Sequence, residues 1–345
     1  MRVVWSRGSV SDSGQAAPDA GAGEPAGRRW RIGRATAGGG VAVGAGAYLV
    51  WGMFPAYFGV LDFAGPIEIL AQRILWTLVV VLVLLFAAGR LREMRTIDGR
   101  TWRLAAVAAA AIALNWGTYV YGVTSGHVVE CALGYFINPL VTVLFGVLLF
   151  RERLVWPQWV ALALGVSAVV VLTVDYGKPP VIALVLACSF ATYGLVKKVI
   201  RLDPMRSVAA EGVVSAPFAL AVIVVLGLRG TAEFGHGAGH TALLLSSGPV
   251  TLLPLLLFAF AASRTALSTM GMLQYLTPAL QLAWGVLVGH EPMPASRWIG
   301  FGLIWAALAI FTADALRRSR RARSPQADTA TPSDIAARKR GAGES

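Results

Sequence analysis

Long apolar runs separated by short polar loops set the plan of the chain. Residues 104–121, 154–174 and 213–228 carry few or no charges over about the ~20 residues that cross hydrocarbon. The runs are continuous and do not alternate with period two, so helices are expected rather than a membrane barrel. The pattern predicts ten spans, at 38–61, 67–88, 104–123, 128–150 and 157–174, then 181–199, 208–228, 242–262, 268–289 and 298–316.

The second half of this pattern restates the first. The stretch 133–152, LGYFINPLVTVLFGVLLFRE, is broken by Asn138-Pro139 and followed by charge. Pro278 lies 139 residues after Pro139, and the same offset pairs Gly146 with Gly285, Glu152 with Glu291, Trp159 with Trp298, Thr173 with Thr312 and Asp175 with Asp314. An offset held without a gap over one and a half helices marks an internal duplication. Five spans per copy is an odd number, so the second copy enters the membrane from the opposite side. The expected fold class is therefore all-α integral membrane, with ten transmembrane helices as two inverted five-helix repeats. Residues 38–174 and 181–316 hold the repeats. Residues 1–37 read as a flexible basic tail, and 317–345 as a basic disordered one.

Charge fixes an orientation. The chain is 56% hydrophobic and 14% charged, with a formal net charge of +12. Its Lys and Arg crowd the tails and alternate loops, such as Arg90–Arg103 and Lys197–Arg206, whereas the opposite loops hold little more than Lys178 and Arg229. That bias places both termini in the cytoplasm of a multi-pass protein of the cell membrane. It also accounts for the positive charge without nucleic acid. The two cysteines, Cys131 and Cys188, lie in apolar runs and form no disulfide or zinc pattern. His236 and His240 fall in a Gly-rich loop, with no third ligand in view for a metal. No phosphate-binding loop, H-E-x-x-H or set of catalytic acids and bases is present, so neither an enzyme nor a cofactor is expected.

Polar residues inside spans carry the candidate chemistry. Pro139 and Pro278 are candidate helix breaks, because neither can donate to the carbonyl four residues back. Freed carbonyls survive where they face protein or a wet cavity. Their polar company is Tyr135 and Asn138 in one repeat, Gln274, Tyr275 and Thr277 in the other. Arg73 needs a partner, for which Glu68 and Glu130 are candidates, or a carboxylate on the solute. Glu68 and Arg73 stand roughly 140° apart around their helix. Glu130 either binds a cation or proton or favours the positive end of a helix. Asn115 can bind substrate or bridge two helices. Glu211 reads as interfacial, and Glu152 and Glu291 as hydrogen-bonding residues at helix ends.

Several stretches resemble a known family. VWGMFPAYF (50–58), EILAQR (68–73), ALNWG (113–117), LGYFINPL (133–140), YGLVK (193–197), QY..P (274–278) and IWAALAIF (304–311) are similar to the RarD proteins. These are a branch of the EamA-type transporters in the drug/metabolite transporter superfamily. The resemblance covers residues from about 41 to 317. That branch often has a histidine before the arginine of the second span, where this chain has Gln72. The resemblance implies a central cavity, alternating access and a small metabolite or drug-like solute, generally exported or exchanged. The label attached to the branch is chloramphenicol sensitivity.

Together these readings predict a secondary transporter of a small-molecule substrate, a monomer or homodimer in the lipid bilayer. Its expected substrate contacts are Trp51, Arg73, Asn115, Glu130, Tyr135, Asn138, Gln274 and Tyr275. Glu68 and Glu130 are coupling candidates. A receptor or regulatory scaffold that binds a ligand without moving it is the alternative.

Overall fold

The computed structural model describes residues 37–150, 154–262, 264–265 and 267–323. Both tail assignments up to residue 36 and beyond 323, and the helix-end reading of Glu152, lie outside the described residues; residues 317–323, expected in the disordered tail, are helical instead. Within them the chain is helical, without strands. Proline and glycine mark the joints. The first span is α1 (Ala37–Gly52) followed by α2 (Phe54–Val60), with Pro55 in the first turn of α2. Helix α3 (Pro66–Ala87) starts on Pro66, where a missing N–H costs nothing. α4 spans Gly99–Thr124, α5 Val128–Phe150 and α6 Trp156–Tyr176, the last stopped by Gly177 at φ 65°. α7 is Val181–Val199, and α8 is Pro204–Leu228 with Asp203 capping the amide of Arg206. α9 is Ala238–Ala262, α10 Leu267–Leu273, α11 Leu276–Leu287 and α12 Ala295–Arg323.

Nine segments among the described residues are long and apolar enough to cross a membrane, α1 and α2 together forming one. The stretch predicted as the ninth of ten spans is divided between α10 and α11, which meet at Gln274-Tyr275. Pro278 therefore sits in the first turn of a new helix. Pro139 corrects the expectation of a break: α5 runs through it without interruption. Helix α5 is clasped by α7 on one side and α11 on another, and the Thr142 hydroxyl ties back to the Asn138 carbonyl at 2.9 Å. Packing holds the helix where one backbone hydrogen bond is missing.

The helices pair in a definite order. α1 packs on α9 and α11, and α7 packs on α4 and α5. α3 meets α8 and α9, and α8 also meets α4. α5 faces α11, and α6 lies along α12. Small residues permit the close approaches. A methyl group on Gly248 of α9 would stand 2.4 Å from the Trp76 carbonyl carbon of α3, and one on Gly134 of α5 would stand 2.8 Å from the Ala183 carbonyl oxygen of α7. Leu133, Phe136, Ile137 and Leu140 of α5 form the centre of the largest apolar core, with Leu172, Leu282, Phe301 and Ile304.

Candidate functional site

Helix α3 turns its polar residues inward. Glu68, Gln72, Arg73 and Thr77 are all buried. Glu68 and Gln72 share one face of the helix, and Arg73 and Thr77 share another roughly 100° away. Gln72 accepts a hydrogen bond from Trp76 Nε1 at 2.9 Å, one turn along.

Arg73 occupies the middle of the arrangement and is 3% exposed. Its Nε donates to Thr251 Oγ1 of α9 at 2.8 Å. The guanidinium carbon lies 4.0 Å from the Trp116 ring centre, 5.2 Å from that of Phe58 and 5.4 Å from that of Phe54. Tyr57, Tyr119 and Tyr135 complete its electrostatic surroundings. Nη1 is buried and has no hydrogen-bond partner. No carboxylate among the described residues pairs with it.

The acids expected to do so are engaged elsewhere. Glu68 accepts the amides of Glu233 and Phe234, each at 3.0 Å, in the loop before α9. Glu130 accepts the amides of Ile182 at 2.9 Å and Ala183 at 3.4 Å, capping α7. A carboxylate in that place complements the unpaired amides and positive end of the helix. Glu291 does the same for α5, accepting from Val128 at 2.6 Å and Val129 at 3.1 Å. Burial pushes the Glu291 carboxyl up from its ordinary range, against the opposing effect of those two amides.

Asn115 bridges helices. Its Nδ2 donates to the Leu186 carbonyl at 3.0 Å and to Ser189 Oγ at 3.1 Å of α7, while the Tyr135 hydroxyl donates to its Oδ1 at 3.2 Å. Tyr135 thus links this bridge to the surroundings of Arg73. Asn138, three residues further along α5, leaves a buried Oδ1 without a partner. Trp51 groups with Tyr48 and Phe258, and its carbonyl accepts from Gln281 Nε2 at 3.3 Å. Gln274 and Tyr275 stand at the α10–α11 joint, and Tyr275 packs against the α5-centred core rather than around Arg73.

Thr251, Phe58 and Tyr119 around Arg73, and Gln281 beside Tyr119, carried no assignment from sequence. Thr251 and Gln281 are buried polar groups in apolar helices, the one available signal. Tyr119 is buried beside Gln281. Phe58 is legible only as part of an aromatic-rich motif. An apolar groove of about 290 Å³, lined by Leu49, Val50, Met53, Phe54, Tyr57 and Val250, adjoins the rings around Arg73.

Glu211, near the start of α8, is buried among polar partners: it meets Lys197 Nζ at 2.7 Å, Ser207 Oγ at 3.0 Å and the Tyr193 hydroxyl at 3.1 Å. One further expectation is corrected. His240 belongs to the first turn of α9, not to a loop, where it stacks on Phe63 at 3.8 Å and faces Glu233 at 3.2 Å.

The profile of the EamA-like transporter family matches this chain twice, over residues 38–174 and 178–313. The chain belongs to the EamA-like transporter family. Within it, the chain is 48% identical over 300 residues to Protein RarD of Streptomyces exfoliatus, covering 86% of this chain and 95% of that one. It is 39% identical over 290 residues to an uncharacterized transporter of Pseudomonas aeruginosa, covering 83% and 97%. A chloramphenicol-sensitive protein RarD of the same species is 26% identical over 292 residues, covering 82% and 96%. One solved structure shares the fold, with a TM-score of 0.54 at 17% identity, covering 80% of this chain and 97% of its own. This EamA-family chain is thus a multi-pass membrane transporter, and several of its relatives are named as transporters.

Proposed function

We propose that the protein is a secondary transporter that exports or exchanges a small metabolite or drug-like solute. Its two five-helix halves, residues 38–174 and 181–316, alternate access to a site between them. The observation that carries this reading is the buried, incompletely bonded guanidinium of Arg73, held where helices of both halves converge: Phe58 and Trp116 come from one half and Thr251 from the other.

An inverted repeat is supported by the packing. Exchange α1 and α2 with α7, α3 with α8, α4 with α9, α5 with α10 and α11, and α6 with α12, and the main helix pairings map onto one another. Inverted repeats with a site at their junction are the usual construction of secondary transporters. Trp51, Asn115, Tyr135 and Asn138 contribute from the first half, and Gln274 and Tyr275 from the second. Glu68 and Glu130 shape the site through the loop and helix that they cap, and remain the proposed coupling acids. Both termini face the cytoplasm of the cell membrane, as the placement of Lys and Arg requires.

The test is solute counterflow in sealed proteoliposomes, with reporters fused to the termini to read orientation in cells. Protein-dependent flux of a solute that also raises the unfolding temperature supports transport. A ligand that stabilises the protein but never crosses the vesicle would instead favour a receptor.

A further inference from the structure

We propose that the transported solute is an organic monoanion, a carboxylate on an aromatic or similarly flat apolar body, whose acid group pairs with Arg73. This rests on the transporter reading and narrows its substrate class.

The argument begins with charge. Arg73 is 3% exposed in an apolar helix, and a guanidinium taken from water carries a large penalty unless something compensates it. Three ring faces compensate part of it. A ring face supplies no acceptor for the in-plane N–H groups, however, and Nη1 has none. Glu68 and Glu130 are bound to backbone amides instead. The protein has therefore prepared a cation and withheld its counter-charge. A carboxylate supplies both the charge and the acceptors, and it fits the planar fork of arginine.

The neighbours narrow the class. The buried Tyr119 side chain lies in the same surroundings, beside Gln281. No second cation is among the groups that meet Arg73. A doubly charged phosphate would leave a net negative charge in an apolar site, whereas a monoanion leaves none. The walls of the site are ring faces. A flat apolar body suits them better than a polyhydroxylated one.

The decisive experiment compares isosteres on the full-length wild-type protein in lipid vesicles. Benzoate and indole-3-acetate are set against benzamide, indole-3-acetamide and tryptamine. The readouts are ligand-induced thermal stabilisation and counterflow above that of protein-free vesicles. The carboxylates should stabilise and exchange, and the amides should not. Arg73→Gln should weaken carboxylate binding by roughly tenfold or more, with part of it recovered in Arg73→Lys. If Arg73→Gln does not fold, the wild-type carboxylate-to-amide comparison decides alone. Equal response to acids and amides, preference for tryptamine, a full effect from chloride alone, or no response to either carboxylate would overturn the inference. Counterflow of an amide or amine without that of a carboxylate would sink the anion and leave transport standing. Arg73-dependent carboxylate binding without counterflow would do the reverse.

Discussion

The Asp175 carboxylate lies 3.1 Å from Arg297 Nε and also accepts from Ser296, so the end of α6 is tied to the start of α12. At the other end of the same helix pair, Gln158 Nε2 donates to Asp314 at 3.2 Å. Arg297 and Gln158 differ by 139 positions, as Asp314 and Asp175 do. The two ties are copies of one contact, seen from opposite ends of an antiparallel pair. Asp175→Ala should lower stability by about 1–3 kcal/mol. Thermal unfolding in detergent would measure it.

Glu291 offers a test by pH. Its carboxyl is raised, so the folded state holds the proton more tightly than the unfolded one. Stability from this group should therefore fall as pH rises from the ordinary carboxylate range towards the elevated value. Glu291→Gln should remove that slope while keeping an acceptor for Val128 and Val129. Glu291→Ala should remove the slope and the cap together, losing roughly 0.5–2 kcal/mol. Unfolding midpoints measured across the acidic range separate the two.

Gly248 sets the spacing between α3 and α9, and so between Arg73 and Thr251. Gly248→Ala would press a methyl group into the Trp76 backbone. The expected loss is about 1–3 kcal/mol, with weaker solute binding. Gly46→Ala, where a methyl group meets nothing within 4 Å, should be neutral or stabilising by up to about 1 kcal/mol. Equal behaviour of the two variants would show that the α3–α9 contact is looser than described.

Lys197, about a quarter exposed, pairs with buried Glu211 across α7 and α8. Breaking the pair from one side, as Lys197→Met or Glu211→Gln, should lower stability by about 1–3 kcal/mol, because one charge is left without its partner. The double variant should lose less than the sum of the singles. A double-mutant cycle on unfolding midpoints reads the coupling directly.

Span positions were legible because each run is long and holds at most two charges, and the duplication was legible because its offset has no gap. Asp175 and Asp314 could be paired as equivalents from spacing alone. The surroundings of Arg73 could not, because they come from positions 54 to 251 on separate helices. Glu68 looked like its partner because it is near in sequence, yet five residues of helix turn it towards the loop at Glu233. The division between α10 and α11 was also hidden. α5 carries the same proline and stays whole, so packing rather than composition makes the difference. Lys197 was absorbed into the charge count that sets orientation, and only its distance from Glu211 reveals a second use.

On the proposed alternating-access mechanism, a buried Arg73 that changes its place in the field would make the bundle answer to voltage. It sits seven residues beyond Pro66, about 10 Å along the helix. Moving one elementary charge through the whole field is worth about 2.3 kcal/mol per 100 mV. With a monoanion bound, the centre is neutral and the loaded step is blind to the field. When the site is empty, the field acts on its return. One-for-one exchange of anions would then run independently of membrane potential, whereas net movement would not.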